Sequence, residues 1–304
     1  RSARHSLAIT VITYQRPELL RLLLQSLQRQ QAPDDCDVRV IVVDNDAAGT
    51  AHEDCGDIEG PFPVSWQVEP DPGIPAARQR SVDLAGQDDY VIFIDDDEQA
   101  PEGWLARMWQ TMQRTGADVV TGPVRGVLPP DAPSWARHSD VYSSVGKHET
   151  GTRLRKAYTN NTIVARRVLD AVQPAFHPAF RFTGSSDLHL FLRVSKAGFT
   201  IVWDDEAEVV ETVPWSRLSL RWLVRRAFRS GSGDTISRVL IDPRPRTYLL
   251  CTGLSIARAG SGLALAVLGI ASPSARIKGL RRMASAAGSL AGLWGVNYAE
   301  YQRP

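Results

Sequence analysis

Four apolar runs rich in β-branched residues dominate the first third of the chain and leave few architectures open. They are Leu7 to Tyr14 (LAITVITY), Val38 to Asp46 (VRVIVVDND), Pro63 to Pro70 (PVSWQVEP) and Val91 to Asp95 (VIFID). Runs this continuous mark strands covered on both faces, and none leads into a hairpin turn. Segments of helical period separate them. Pro17 opens a helix with Leu20, Leu23, Leu24 and Leu27 on one face. A second helix begins near Pro75 and runs to about Ala85, and a third spans about Glu102 to Thr115 before a fifth strand, Ala117 to Val124. Strands alternating with helices predict an α/β domain whose central sheet is mostly parallel and flanked by helices.

The fourth run ends in Asp95, Asp96, Asp97 and Glu98. Adjacent acids repel, and a cation or open water relieves that repulsion best. Open α/β sheets bind ligands at the carboxyl ends of their strands, and Mg²⁺ or Mn²⁺ held by one or two carboxylates completes its shell with substrate phosphates. A metal–phosphate site is therefore expected here; an acidic loop that only stops a strand would suit scattered Asp and Gly better. Thr13 and Tyr14 close the first strand, and Asp44 and Asn45 the second, where a carboxylate or amide can bond a base edge or ribose. Gly73 precedes a helix start, with Arg78 about one turn in, so backbone N–H groups and a guanidinium can face an anion. The plainer alternatives are a turn-forming Asp44 and a solvated Arg78. Neither GxxxxGKS/T nor GxGxxG occurs between a strand and a helix.

With 304 residues and a formal net charge of +1, the chain can bury a full core but lacks the concentrated basic surface of a nucleic-acid binder. Cys36, Cys55 and Cys251 show no metal-ligand spacing and suit a reducing cytoplasm as thiols. The amino-terminal apolar run meets Gln15, Arg16 and Pro17 at once, which reads as a strand and not a signal peptide.

Taken in order, ITVITYQRPELLRLLLQSL, VIVVDND, GIPAARQRSVDLA and YVIFIDDDEQAPEGWL resemble the nucleotide-sugar half of family 2 glycosyltransferases with the GT-A (Rossmann-like) fold. The run from Gly184 to Gly231 is similar to the acceptor half of the succinoglycan-type (ExoM-like) branch. The resemblance covers about residues 7 to 235. It implies an inverting, metal-dependent transfer of a sugar from a nucleoside-diphosphate donor, a UDP-sugar being favoured, to a saccharide, lipid-linked or small-molecule hydroxyl. Thr13, Tyr14, Arg16, Asp44, Asn45, Arg78, Asp95 and Asp96 are the implied nucleotide contacts. The family's Asp-x-Asp maps to Asp95 and Asp97 as ligands of Mg²⁺ or Mn²⁺, with the choice among the three aspartates left open. Glu211, where many relatives carry histidine, is a further candidate metal contact.

Asp187 in GSSDLH is the implied general base, although many relatives have Glu-Asp where this chain has Ser186-Asp187; helix capping is its structural alternative. Asn160, Asn161, His189, Arg217, Arg225 and Arg226 are candidate diphosphate or acceptor contacts, against the alternatives of turn residues and the wet face of an amphipathic helix. Two other classes compete. A sugar-nucleotide pyrophosphorylase would need a Gly-rich phosphate loop at the first strand, and a non-catalytic nucleotide- or carbohydrate-binding module would need neither Asp187 nor the intact acidic block.

By segment, residues 1–124 are expected to hold the donor, 125–240 the acceptor and catalytic groups, and 241–304 a helical appendage. Residues 125 to 156, rich in Pro, Ser and His, read as a long loop or lid. Tyr248 to Ser272 is rich in Leu, Ala and Gly but broken by Arg258, and Arg276, Lys278, Arg281 and Arg282 follow. That composition suits helices lying on a membrane surface, at the inner face of the plasma membrane, or a contact with a second copy, better than a crossing.

Overall fold

The computed structural model describes residues 4–52, 55, 58–137, 141–269 and 272–299. The chain divides into two compact units that interleave in sequence. One comprises Arg1–Val127, Ser143–Arg181 and Leu190–Thr212; the other comprises Leu128–Tyr142, Phe182–His189 and Val213–Pro304.

The first unit opens with β1 (His5–Thr13), α1 (Pro17–Leu27), β2 (Cys36–Asp44), β3 (Val64–Val68), α2 (Ile74–Leu84) and β4 (Tyr90–Phe93). Then come β5 (Glu98–Gln99), α3 (Trp104–Thr115), β6 (Val119–Thr121) and β7 (Val124–Val127). A short helix of the second unit, α4 (Ser134–Arg137), precedes β8 (Arg153–Leu154), β9 (Thr162–Ala165) and α5 (Arg166–Ala171). Helix α6 (Ser186–Lys196), β10 (Ile201–Trp203) and β11 (Val209–Thr212) complete the series. Of the loop expected over 125–156, residues 138–140 lie outside the described residues; the remainder contains β7, α4 and β8.

Eight strands form one sheet in the order β3-β2-β1-β4-β9-β6-β10-β8. The β1–β2, β2–β3, β1–β4 and β6–β10 pairs are parallel, while β9 runs antiparallel between β4 and β6. Strand alternation sorts the core into two layers. Leu7, Ile9 and Val11 of β1 face the layer that contains Leu20, Leu23, Leu24 and Leu27 of α1 with Trp104 and Met108 of α3. Ala8, with Ile41 and Val43 of β2, faces the layer of Phe93, Val168, Leu190 and Phe191. Each fully buried leucine of α1 is worth roughly 1.5–3 kcal/mol, which explains why that helix forms without a side-chain cap. A smaller three-stranded sheet, β5-β11-β7, adjoins the acidic segment. Cys36, Cys55 and Cys251 are buried free thiols.

In the second unit, α7 (Leu220–Ile241), α8 (Pro245–Leu268) and α9 (Pro273–Gly292) pack through small residues. A Cβ on Gly231 would fall on the Ser285 carbonyl, and one on Gly288 on that of Phe228, so the α7 and α9 backbones touch. Ser219 caps α7 by accepting from Trp222 N at 3.2 Å, and Ser272 caps α9 by accepting from Ala275 N at 3.4 Å.

Candidate active site

Register brings the predicted strand ends to one edge of the large sheet. Thr13 stands opposite Asp44, and Thr10 opposite Phe93, so the acidic segment leaves β4 beside the exit of β1. Because β9 is antiparallel to β4, with Thr162 opposite Phe93, its amino end puts Asn160 and Asn161 at this edge as well.

The three aspartates are not equivalent. Asp96 is buried; it accepts from Thr13 Oγ1 at 2.9 Å and pairs with Arg16 Nη1 at 2.9 Å. Burial, opposed by Arg16 and reinforced by Asp97, pushes its carboxyl up to about 6. Asp95 is the most open, with 34% of its side chain exposed, and pairs with Arg78 Nη2 at 3.0 Å. Asp97 lies 3.4 Å from Arg16. Arg78, expected to face an anion, is thus buried against an acid of the block.

Glu98 is fully enclosed and holds the turn by accepting from Asp95 N at 3.0 Å. Burial first, then the charge of Asp95, raises its carboxyl well above the ordinary range. Strand pairing sets Glu211 of β11 directly across from Glu98 of β5, which brings the predicted Glu211 to the acidic segment and adds a further repulsive charge.

Several predicted contacts turn out to build the scaffold. The Asp44 carboxylate accepts from Asp46 N at 2.9 Å and Ala51 N at 2.8 Å, so it closes the turn after β2, the plainer of its two readings. Asn45 donates to the carbonyls of Glu69 and Asp71, both at 2.8 Å, and accepts from Gly73 N at 2.9 Å, which fixes the loop that enters α2. Gly73, at φ 132°, meets Arg181 so closely that a Cβ would collide with it. Asn161 is buried, contrary to a sugar-facing role. Its Oδ1 accepts from Trp104 Nε1 at 2.8 Å, and its Nδ2 donates to the carbonyls of Pro123 at 2.9 Å and Ala207 at 2.7 Å. Asn160 and Tyr14 are half-buried at the edge.

In the second unit, Gly184 and Ser185 take positive φ values of 71° and 73° and turn the chain into α6. A Cβ on Gly233 of α7 would collide with Ser185, so this turn rests on α7. Asp187, in the first helical turn, is half-buried; its Oδ1 accepts from Leu188 N at 2.8 Å, and it forms no ion pair among the described residues. His189 is buried. Arg217 accepts at its carbonyl from Tyr142 Oη at 2.9 Å. Arg225 and Arg226 are exposed, with their guanidinium carbons over the rings of Tyr298 and Trp222 at 5.5 and 5.0 Å, an arrangement that favours the wet-face reading.

Two residues escaped the sequence reading. Asp46 is nearly buried and accepts from Gln15 Nε2 at 3.0 Å, tying the exits of β1 and β2 together. Arg229 is buried on α7 one turn before Gly233, and its signal was that i, i+4 spacing on the small-residue face.

Residues 8–172 match the family model for Glycosyl transferase family 2. Over 296 residues, 96% of this chain and 94% of the relative, the sequence is 34% identical to the succinoglycan biosynthesis protein ExoM of Rhizobium meliloti (strain 1021). The fold is similar to that of S. aureus TarS 1-349, with a TM-score of 0.58 and 14% identity over 94% of this chain and 91% of that one. The same TarS fragment in complex with UDP gives a TM-score of 0.52 at 14% identity, with the same coverage of both chains.

Proposed function

The chain belongs to glycosyltransferase family 2 and is a glycosyltransferase of the GT-A α/β fold, and from that premise we propose an inverting, divalent-metal-dependent sugar transfer in polysaccharide assembly. The donor is a nucleoside-diphosphate sugar, and the UDP held by the structurally similar TarS favours uridine. The acceptor is a hydroxyl of a saccharide, lipid-linked or small-molecule substrate. The observation that carries this reading is the acidic segment at the shared exit of β1 and β4, clasped by Arg16 and Arg78 and faced by Glu211.

Among the described residues no three His, Cys, Asp or Glu side chains converge to hold an ion unaided. The donors nonetheless fit Mg²⁺ or Mn²⁺, which take one or two protein carboxylates and fill the rest of the shell with phosphate and water. Asp97 and Asp95 are the carboxylates assigned to it, with Glu211 as a further oxygen donor. Asp96 is already engaged by Thr13 and Arg16. When bound, the ion supplies positive charge to a departing diphosphate. Arg16 and Arg78 hold the carboxylates in place and add positive charge at the same edge.

Asp187 takes the acceptor's hydroxyl proton at a carboxylate oxygen while that hydroxyl attacks the anomeric carbon and the bond to the diphosphate breaks. A single displacement inverts the anomeric centre. Asp187→Asn is expected to leave donor affinity within a few-fold and to lower turnover by roughly 10² or more, the scale of losing a general base. Proton NMR of the product reads the configuration. Near-normal turnover would reduce Asp187 to a helix cap, and a retained configuration would reject the single displacement.

A further inference from the structure

Helix α8 is polar or small where it is buried and apolar where it is exposed. Its inner face carries Thr247, Cys251, Ser255 and Gly262 at spacings of four and seven. Arg258, on the same side, donates from Nη1 to Ser285 Oγ at 3.0 Å and Ser289 Oγ at 3.1 Å of α9. Its outer face carries Leu249, Leu250, Ile256, Leu263, Val267 and Leu268, each more than half exposed. A helix facing water has the opposite arrangement. Small and polar residues on the contact face, with large aliphatics outside, is the arrangement of helices that meet lipid.

Charge identifies the lipid. Residues 243–299 contain seven Lys and Arg and no Asp or Glu; Arg244 and Arg246 pair with the preceding Asp242, and four of the others, Arg276, Lys278, Arg281 and Arg282, stand on α9. A two-fold contact between copies through this surface would bring like charges together, whereas an anionic bilayer complements them. Trp294 and Tyr298, both exposed, are side chains suited to the headgroup region.

We propose that α8 lies in the plane of an anionic membrane, its outer face among the acyl chains and the cations of α9 among the headgroups. At 24 residues α8 is long enough to cross. Crossing is opposed by its neighbour, because Gly262 lies against the Gly279 carbonyl and the stem of Arg282. The stretch of α9 that bears Arg276, Lys278 and Arg282 therefore runs beside the carboxyl half of α8. A crossing would carry those charges into hydrocarbon, where they are costly.

The full chain tests this with phosphatidylglycerol and phosphatidylcholine vesicles in flotation assays. Wild type is expected to float with the anionic vesicles at low salt. The triple variant Leu249→Gln, Ile256→Gln, Leu268→Gln, altered only at exposed positions, is expected to partition at least ten-fold less while binding UDP unchanged. Depth discriminates the orientation. Since the native cysteines are buried, a fluorophore on Leu249→Cys, Ile256→Cys or Leu263→Cys reports one position at a time. Spin-labelled lipids should quench all three at the same shallow depth. The proposal is overturned by absence of vesicle binding, by equal partition of the triple variant, by Ile256→Cys reporting the bilayer centre with the other two nearer the surfaces, or by a solution dimer that the triple variant dissociates.

Discussion

Asn161→Ala separates a scaffold residue from a sugar contact. The side chain makes three buried hydrogen bonds, one accepted from Trp104 and two donated to the carbonyls of Pro123 and Ala207. At about 1 kcal/mol net apiece, their loss costs about 3 kcal/mol. Alanine also strands the indole N–H of Trp104 and the Ala207 carbonyl, whereas the Pro123 carbonyl keeps its bond from Val209 N at 3.0 Å. Stranded groups cost roughly 1–3 kcal/mol each, so two of them set an upper value of about 6 kcal/mol and the expected loss is about 3–6 kcal/mol. Asn160→Ala is the internal control: Asn160 is half-buried, forms no hydrogen bond among the described residues, and should change stability by less than about 1 kcal/mol. Urea unfolding followed by circular dichroism and tryptophan fluorescence measures both. An Asn161→Ala protein within about 1 kcal/mol of wild type, but with a raised KM for donor or acceptor, would refute the scaffold assignment and restore the sugar contact.

Asp97→Asn should weaken metal-dependent UDP binding and abolish transfer with an unchanged circular dichroism spectrum. Removing even an outer-sphere partner of a metal ligand costs about 10- to 100-fold, so calorimetric titration with and without Mn²⁺ should show at least the lower figure; equal affinities would remove Asp97 from the ion site. Asp118 gives a pH signature remote from that chemistry. Burial raises its carboxyl, but hydrogen bonds from Thr200 and the contact with Arg167 outweigh burial and leave it below the ordinary value. Its stabilising contribution is therefore present above the unfolded value of about 3.9 and lost as pH falls through the lower native value. The difference in urea midpoint between wild type and Asp118→Asn should shrink on acidification through that range; a difference that grows would reverse the sign of the linkage.

The fold was legible where the pattern was local. The apolar runs read to Tyr14, Asp46 and Asp95 form strands that end one or two residues earlier, at Thr13, Asp44 and Phe93, and the helix opened by Pro17 followed from leucine spacing. Pairing partners were not legible, since nothing in TIVA says that β9 enters antiparallel between β4 and β6. Strands as short as β5 and β8, two residues each, carry no period at all. Interleaving of the compact units was equally hidden, because composition changes along the chain and not across it. Within the site, residue types were readable but side-chain commitments were not. Asp44, Asn45 and Asn161 look like ligand contacts in sequence because amides and carboxylates that close turns are the same groups that read sugars and bases. Glu211 beside Glu98 depended on strand register, which two isolated segments do not reveal.

Three short tethers join the large sheet to the small one: residues 94–97 from β4 to β5, Gly122 and Pro123 from β6 to β7, and residues 204–208 from β10 to β11. Asn161 fastens the second tether to the third, through Pro123 and Ala207. The remaining tether is the acidic turn itself, braced from outside by Arg16 and Arg78. All three tethers are held by side chains of the large-sheet edge, and Glu98 closes the acidic one by accepting from Asp95 N at 3.0 Å. The register that places Glu211 opposite Glu98 is thus supported from a distance, by an amide buried between an indole N–H and two tether carbonyls.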